Sequence, residues 1–217
     1  MMRLESSKLQ HIGSGANGKV FRVSKELSGL PLSAVVKTCN SSSTAKRNID
    51  NYDALRHCGV MHLAFMQECL LDGEPAILME DLTTPQMVYV SPNSVYQGHA
   101  DNEAEAYLLA NKLTDISDFD NIIVQLRDLV HCTAGKGVEI LRDTIFFGVE
   151  KGQSASRLSY KIVDLDGMMI DPSAASILYD CNATDVKQAL EWFICYFVED
   201  GTNKISLLNK LKNIELR

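Results

Sequence analysis

The feature that most constrains this chain is a glycine cluster near its start, between two segments with the alternating pattern of β-strands. The run GSGANGKV at positions 13–20 fits G-x-G-x-x-G-x-V in full. In dinucleotide-binding folds such glycines join a strand to a helix, whereas the flanking residues 9–12 and 19–23 predict a hairpin here. Because glycines carry no side chain, a ligand can approach their backbone N–H groups closely. The cluster therefore predicts a flap over phosphate groups, and the alternative is an ordinary Gly/Asn hairpin turn.

The length and charge of the chain limit its class and its partners. Its 217 residues suffice for one domain with a core, or for two small lobes around a cleft. A formal net charge of −7 argues against nucleic acid or an anionic membrane as the main partner, because both select for Lys and Arg. The sequence has no apolar run near the roughly 18 residues of a membrane span, no secretory signal, and six scattered cysteines without a CxxC pair. We therefore expect a cytoplasmic protein with reduced thiols.

Strand patterns dominate the first part of the sequence and helix patterns the second. Within residues 1–80, strands are predicted at 9–12, 19–23, 32–38, 62–69 and 76–79, and a polar helix at 45–56. Within residues 81–217, helices are predicted at 101–112, 118–131, 185–198 and around 205–211, and strands at 144–149 and 160–164. This order predicts an α+β fold with two lobes, the first an antiparallel sheet and the second mainly helical.

A lysine ends the third predicted strand, in the run AVVK that closes with Lys37. A charge at the end of an apolar strand is costly unless it has an anionic partner, and a phosphate is such a partner. Lys37 follows Gly13 by 24 positions, about the length of two strands and a turn. The spacing favours a lysine beside the glycine flap, and the alternative is a lysine whose ammonium simply extends into solvent.

Two further apolar strands end in carboxylates. The run AILMEDL at 76–82 carries Glu80 where a buried strand gives way to a turn. The run KIVDLDG at 161–167 carries Asp164 at the end of a buried strand, followed by Asp-Gly. Carboxylate oxygens in such a position suit Mg²⁺, although a plain polar turn is the alternative.

Together these segments resemble a protein kinase, matched in order over about residues 9–198. The correspondence is to the Gly-rich loop, the V-A-I-K lysine, the hinge after the fifth strand and the D-F-G motif. The chain is short and has no A-P-E motif, which is similar to the minimal kinases that bacterial pathogens inject into host cells. The resemblance implies an ATP- and Mg²⁺-dependent protein Ser/Thr kinase with a protein substrate. For an injected kinase that substrate is a host protein, such as a heat-shock chaperone, in the host cytosol.

The resemblance also implies roles for individual residues. Lys37 would hold the α- and β-phosphates, and a carboxylate on the following helix would orient it, with Asp50 as the first candidate and Asp53 as the second. The residues implied in nucleotide binding are Gly13, Ser14, Gly15, Ala16, Asn17, Gly18, Val20, Lys37, Asp50 and Glu80. Asp164 is the implied metal ligand.

The catalytic loop departs from the usual H-R-D-x-x-x-x-N. Its best match is Leu141-Arg142-Asp143, and Gly148 stands where the asparagine is expected. Two registers remain open. In the first, Asp143 orients or deprotonates the acceptor hydroxyl; in the second, Asp143 is a metal ligand and Glu139 is the base.

Two other functions are compatible with the sequence. A pseudokinase would keep the fold as a binding module, which the altered catalytic loop favours and the retained Lys37 and Asp164 disfavour. A small-molecule kinase of the aminoglycoside-phosphotransferase kind would usually carry H-x-D-x-x-x-x-N and a larger second lobe. Asp185, at the start of the predicted helix 185–198, resembles the aspartate that supports the catalytic loop in kinases.

Overall fold

The largest sheet has six strands and lies within the first 80 residues. The computed structural model describes residues 1–15, 18–30, 33–92 and 102–216. The strands are β1 (Met2–Leu4), β2 (Gln10–Gly15), β3 (Gly18–Val23), β4 (Ala34–Thr38), β5 (Met66–Leu71) and β6 (Glu74–Glu80). Their spatial order is β1-β5-β6-β4-β3-β2. β1 pairs parallel with β5 and the other neighbours are antiparallel, so the sheet is mixed and the expectation of a purely antiparallel sheet is wrong at this edge.

Helices dominate the remainder of the described chain. Two helices interrupt the large sheet in sequence, α1 (Lys25–Ser28) and α2 (Ser42–Cys58), and four follow it: α3 (Glu103–Ala110), α4 (Phe119–Ala134), α5 (Ala175–Phe197) and α6 (Thr202–Lys212). The small strands are β7 (Met87–Val90), β8 (Asp115–Ile116), β9 (Ile145–Glu150), β10 (Ala155–Ser156) and β11 (Ser159–Ile162). They form a three-stranded sheet, β11-β9-β7, and a two-stranded sheet, β10-β8. The predicted α+β class is confirmed.

Helix α2 has a defined beginning and end. The Ser41 hydroxyl accepts a hydrogen bond from the Thr44 N–H at 3.1 Å, which caps the first turn. Gly59 ends the helix with φ of 80°, a left-handed conformation that glycine adopts without a steric cost. The helix therefore extends beyond the predicted range 45–56 on both sides, from Ser42 to Cys58.

Successive side chains of a strand point to opposite faces of the large sheet, so the core consists of two clusters, one on each face. Val35 and Val36 are neighbours on β4, yet Val35 belongs to the larger cluster with α2, α4 and α5, and Val36 to a smaller cluster on the opposite face. This follows from the two-residue period of a strand. Phe147 of β9 and Phe193 of α5 are fully buried, with ring centroids 5.5 Å apart. The larger cluster thus joins the six-stranded sheet to the helical part of the chain.

Helix α5 begins ten positions earlier than the predicted start at residue 185. Asp171 accepts a hydrogen bond from the Ser173 N–H at 2.9 Å and starts a short 3₁₀ turn that leads into the helix. Leu178 and Asn182 then face the core, so tertiary burial overrides the weak helix preference of the Ser-, Asn- and Thr-containing segment. Within the described residues, no helix is both long and apolar enough to cross a membrane.

Candidate active site

The predicted glycine hairpin is present. Strands β2 and β3 pair antiparallel as far as Gly15 opposite Gly18. Ala16 and Asn17, at the tip of the predicted flap, lie outside the described residues. The remaining predicted members of the flap lie on the two strands: Gly13, Ser14 and Val20.

Gly18 attaches this hairpin to the end of β4. Its φ is 142°, and a Cβ at this position would collide with the carbonyl oxygen of Thr38. The Lys19 N–H donates to the Thr38 hydroxyl at 2.7 Å, and Val20 is paired in register with Lys37. The close approach requires glycine at position 18 and places the flap directly beside the lysine.

Lys37 is the centre of the site. Its Nζ lies 2.7 Å from Asp164 Oδ1 and 3.3 Å from Asp166 Oδ2, and the side chain is 15% exposed. Burial alone would lower the pKa of Lys37, but the two carboxylates outweigh it and hold the pKa above its ordinary value. The ammonium is therefore charged across the neutral range.

Asp164 has an uncommon backbone conformation. Its φ is 56°, in the left-handed region that residues other than glycine rarely adopt. Hydrogen bonds hold the chain on both sides: the Val163 N–H donates to the Thr144 carbonyl at 2.8 Å, and the Asn51 side chain donates to the Leu165 carbonyl at 2.7 Å. A strained residue kept in place by its neighbours is typical of functional sites.

Two buried asparagines of α2 bind the loop that carries Asp164. Asn48 Nδ2 donates to Asp166 Oδ1, and Asn51 Nδ2 donates to the carbonyls of Leu165 and Met168, the latter at 3.2 Å. Sequence reasoning missed both residues. Their signal was available as two amides spaced by three on the face of α2 that also carries its apolar residues.

The predicted partner of Lys37 on α2 does not contact it in this structure. Asp50 and Asp53 are exposed, and among the described residues the ion pairs of Lys37 are with Asp164 and Asp166. The physical reason is helical periodicity, since Asn48 and Asn51 occupy the inward face and positions 50 and 53 lie off it. The search for a carboxylate on this helix therefore selected residues on the wrong face.

Glu80 lies at the end of β6, as predicted, and its carboxylate binds Lys161 of β11. Lys161 Nζ lies 2.9 Å from Glu80 Oε1 and 3.0 Å from Oε2. A cavity of about 820 Å³ lies beyond this strand end, lined among others by Ile12, Leu82 and Phe146. The Glu80–Lys161 pair ties the large sheet to the three-stranded sheet.

Asp143 and Glu139 occupy different environments. Asp143 lies in a short turn before β9 and lines a cavity of about 340 Å³ together with Asp164 and Asp166. Glu139 does not line that cavity; its Oε2 accepts from the Met169 N–H at 3.3 Å, and its own N–H donates to the Met169 carbonyl at 3.0 Å. The structure thus brings Asp143, and not Glu139, to the cavity that contains the Lys37 partners.

Asn182 of α5 fixes the segment that leads to Asp143, and sequence reasoning missed it too. The side chain is fully buried, and its Oδ1 accepts from the Ile140 N–H at 2.9 Å. Its Nδ2 donates to the Val138 carbonyl at 2.9 Å and to the Thr133 hydroxyl at 3.0 Å. The amide is satisfied by three partners, so α5 determines where residues 138–140 lie.

Asp185 lies within α5 and not at its start, because the helix begins at Ala175. Burial has the largest effect on the pKa of Asp185 and raises it. The positive charge of Arg142 lowers this pKa, whereas the negative charges of Glu139 and Asp143 raise it. The net pKa is above the ordinary value. The Asp185 carboxylate therefore adds negative charge next to the candidate catalytic loop at a cost to the folded state.

We expect Asp185→Asn to stabilise the protein at pH 7. Because the folded state holds the Asp185 proton more tightly than the unfolded state, the wild type loses stability as the pH rises from 3.8 through the raised folded-state pKa. The gain should be below about 1 kcal/mol, since solvent screens this half-buried group, and it should shrink as the pH falls towards 4. Urea unfolding between pH 4 and 7 measures it, with Asp120→Asn as a surface control. A variant less stable than wild type at pH 7 would show that attraction to Arg142 dominates.

The carboxylates of the site suit a metal ion that is bound partly by a ligand better than one that is bound by protein side chains alone. Among the described residues, no group of three or more His, Cys, Asp or Glu side chains is placed to hold a metal ion. Mg²⁺, however, is usually bound by one or two carboxylates together with substrate phosphates and water. Asp164 and Asp143 line one cavity and offer oxygen ligands, so the residues present fit a magnesium ion that a nucleotide helps to bind.

Comparisons with known proteins identify no relative. No protein-family model matches this chain, and no curated protein matches it. A function for the chain is therefore inferred from its own side chains.

Proposed function

We propose that this chain is a protein-kinase-like phosphotransferase, which transfers the γ-phosphoryl group of ATP to a Ser or Thr hydroxyl of a protein. The observation that carries the proposal is the ion pair of Lys37 with Asp164, 2.7 Å apart beside the glycine hairpin and separated by 127 positions in sequence. A lysine and a half-exposed carboxylate held together beside a cavity suit the joint binding of an anionic ligand and a cation.

The order of the elements supports the proposal. In protein kinases a Gly-rich loop covers the phosphates, a lysine on the following strand contacts them, and the D-F-G aspartate binds Mg²⁺. Here the hairpin β2–β3, the Lys37 strand β4, helix α2, the strand β6 and the Asp164 loop follow in that order. We infer a two-lobe arrangement in which residues 1–80 form one lobe, residues 81–217 form the other, and the nucleotide lies between them.

In the proposed mechanism, positioning and charge neutralisation supply most of the rate gain. Backbone N–H groups of the hairpin would contact phosphate oxygens, and the Lys37 ammonium would bind the α- and β-phosphates. Asp164 would hold Mg²⁺, which supplies positive charge to the phosphate oxygens when bound. Asp143 would orient the acceptor hydroxyl or accept its proton in the first register, and would bind Mg²⁺ beside Asp164 in the second.

The first test is nucleotide binding. We expect ATP with Mg²⁺ at about 100 times its Kd to raise the melting temperature by roughly 5–10 °C, because a ligand of the native state alone stabilises it by mass action. Lys37→Ala should reduce this rise by half or more, while Lys8→Ala, on the exposed surface, should leave it unchanged. Absence of any shift at millimolar ATP would refute the nucleotide site.

A transfer assay separates the possible acceptors. The wild type and Asp164→Ala are each incubated with γ-labelled ATP, Mg²⁺ and whole-cell extract, and then with a purified heat-shock chaperone. Label in protein bands that appears with the wild type and not with Asp164→Ala supports a protein kinase, and such label confined to soluble small molecules supports a small-molecule kinase.

One observation favours a second candidate, a nucleotide-binding module without transfer activity. Gly148, where kinases carry the metal-binding asparagine, lies in β9, and a Cβ at this position would collide with the Tyr89 ring. No side chain can therefore supply a ligand from position 148 without displacing Tyr89. ATP binding without any transfer in extract would support the binding module.

A further inference from the structure

The two carboxylates that bind Lys37 differ in how they are held. The Asp166 side chain is 13% exposed, and each of its oxygens has a different partner. Oδ2 pairs with the Lys37 ammonium, and Oδ1 accepts a hydrogen bond from the Asn48 amide. Asp164 is 44% exposed, and Lys37 is its side-chain partner among the described residues. One carboxylate is therefore fixed on two sides, and the other is open to the cavity.

We propose that Asp166, held by Asn48, is the residue that positions the Lys37 ammonium, which leaves Asp164 available to a magnesium ion. The inference rests on the proposed function for the role of Lys37, but the contacts themselves belong to the protein without nucleotide. Asp166 acts through Lys37 and is a positioning residue.

The contacts of Asn48 explain why its amide is fixed. Its Nδ2 donates to Asp166 and also to the Thr44 carbonyl at 2.9 Å, and the side chain is 2% exposed. Both amide hydrogens are thus used, and the orientation of the amide follows from them. Lys37 on β4, Asp166 on the loop and Asn48 on α2 form one continuous chain of polar contacts.

The charges of α2 favour the same conclusion. In protein kinases a glutamate of the helix pairs with this lysine, but the 17 residues of α2, SSTAKRNIDNYDALRHC, contain no glutamate. A carboxylate at position 48 would place a second negative charge against Asp166, whereas a neutral amide donates a hydrogen bond to it. In this chain the carboxylates that pair with Lys37 lie on the loop after β11, and α2 contacts one of them through the Asn48 amide.

The test begins with the intact protein without nucleotide. Limited acetylation with acetic anhydride is followed by mass spectrometry of the Lys37 peptide, with Lys161 as the internal control. Because Asp166 holds one side of the Lys37 amine at 3.3 Å and the lysine side chain is 15% exposed, loss of this contact in Asp166→Asn should expose the amine and raise the Lys37 acetylation rate several-fold. Asp166→Glu should restore a rate near wild type, and Asn48→Ala should give a smaller rise. The Lys161 rate should not change.

A second readout uses ATP binding as a function of Mg²⁺ concentration. In Asp166→Asn, Asp164 is the remaining carboxylate partner of Lys37 among the described residues, and Lys37 competes with the cation for it. The Mg²⁺ concentration that gives half-maximal ATP binding should therefore rise several-fold, and Asp166→Glu should reverse the rise. A purely structural role would not produce this selective dependence on magnesium.

The outcomes separate this inference from the proposed function. Wild-type Lys37 reactivity in Asp166→Asn, or equal damage from Asn and Glu at position 166, overturns the positioning role. If the wild type binds no ATP, the proposed function fails while the acetylation result still decides whether Asp166 holds Lys37. If Asp166→Asn does not fold, the acetylation rate of Lys37 is measured in Asn48→Ala instead. A rate equal to that of the wild type then overturns the proposal.

Discussion

Asp164→Asn is expected to lower phosphoryl transfer by roughly 10³-fold while leaving the fold intact. The variant removes the negative charge that is open to the cavity beside Lys37. Loss of several kcal/mol of charge stabilisation in the transition state corresponds to a rate loss of this order, since about 1.4 kcal/mol is tenfold. Asparagine is the substitution of choice because it tolerates the left-handed backbone at φ of 56°, where alanine would be strained.

The measurement is the initial rate of γ-labelled phosphate transfer at saturating ATP and several Mg²⁺ concentrations. Asp120→Asn is the matched control, since it makes the same chemical change at an exposed carboxylate on the first turn of α4. Equal activity of Asp164→Asn and wild type would exclude Asp164 as the principal metal ligand. A variant with an altered melting temperature and lower activity would need Asp164→Glu as a second comparison.

Local patterns in the sequence predicted most of the large sheet. Residues 9–12 and 19–23 were assigned to a hairpin and Lys37 to a strand end, and the structure confirms both. Strand β1 was missed because Met2–Leu4 is too short for an alternating pattern, and only pairing with β5 makes it a strand. The start of α5 was missed for a related reason: burial of Leu178 and Asn182 supplies stability that the local sequence does not.

The site could be predicted from sequence where glycines form a hairpin, where an Arg-Asp pair resembles a catalytic loop, and where a charge follows an apolar strand. Lys37 and Asp164 were found in this way, and the structure brings them together. Asparagines 48, 51 and 182 were missed: the spacing of Asn48 and Asn51 marks them as inward-facing on α2, but a neutral amide does not indicate which segment it binds. Sequence reasoning searched α2 for a carboxylate, whereas the carboxylate lies 118 positions from Asn48 on the loop after β11.

Asp143→Asn is the second substitution with a large expected effect. The variant should retain ATP binding and lower turnover by roughly 10²-fold, the scale of a general base or a positioning group. The reason is location: Asp143 shares a cavity with Asp164 and Asp166, at a site where an acceptor hydroxyl could approach the nucleotide. Glu139→Gln should change turnover little, because the Glu139 carboxylate lies outside that cavity and contacts the Met169 backbone.

The two variants distinguish the registers of the catalytic loop. Single-turnover rates and ATP affinity are measured for both, at low and high Mg²⁺. If Asp143 is instead a metal ligand, asparagine should support appreciable activity that rises with added Mg²⁺, since asparagine is the usual ligand in kinases, and Glu139→Gln should be the damaging change. Full activity in both variants would eliminate both registers and leave Asp164 as the one carboxylate on which the proposed chemistry depends. A 10²-fold loss in Asp143→Asn that added Mg²⁺ does not relieve would place the acceptor hydroxyl next to Asp143, between the turn 142–144 and the Lys37 pair.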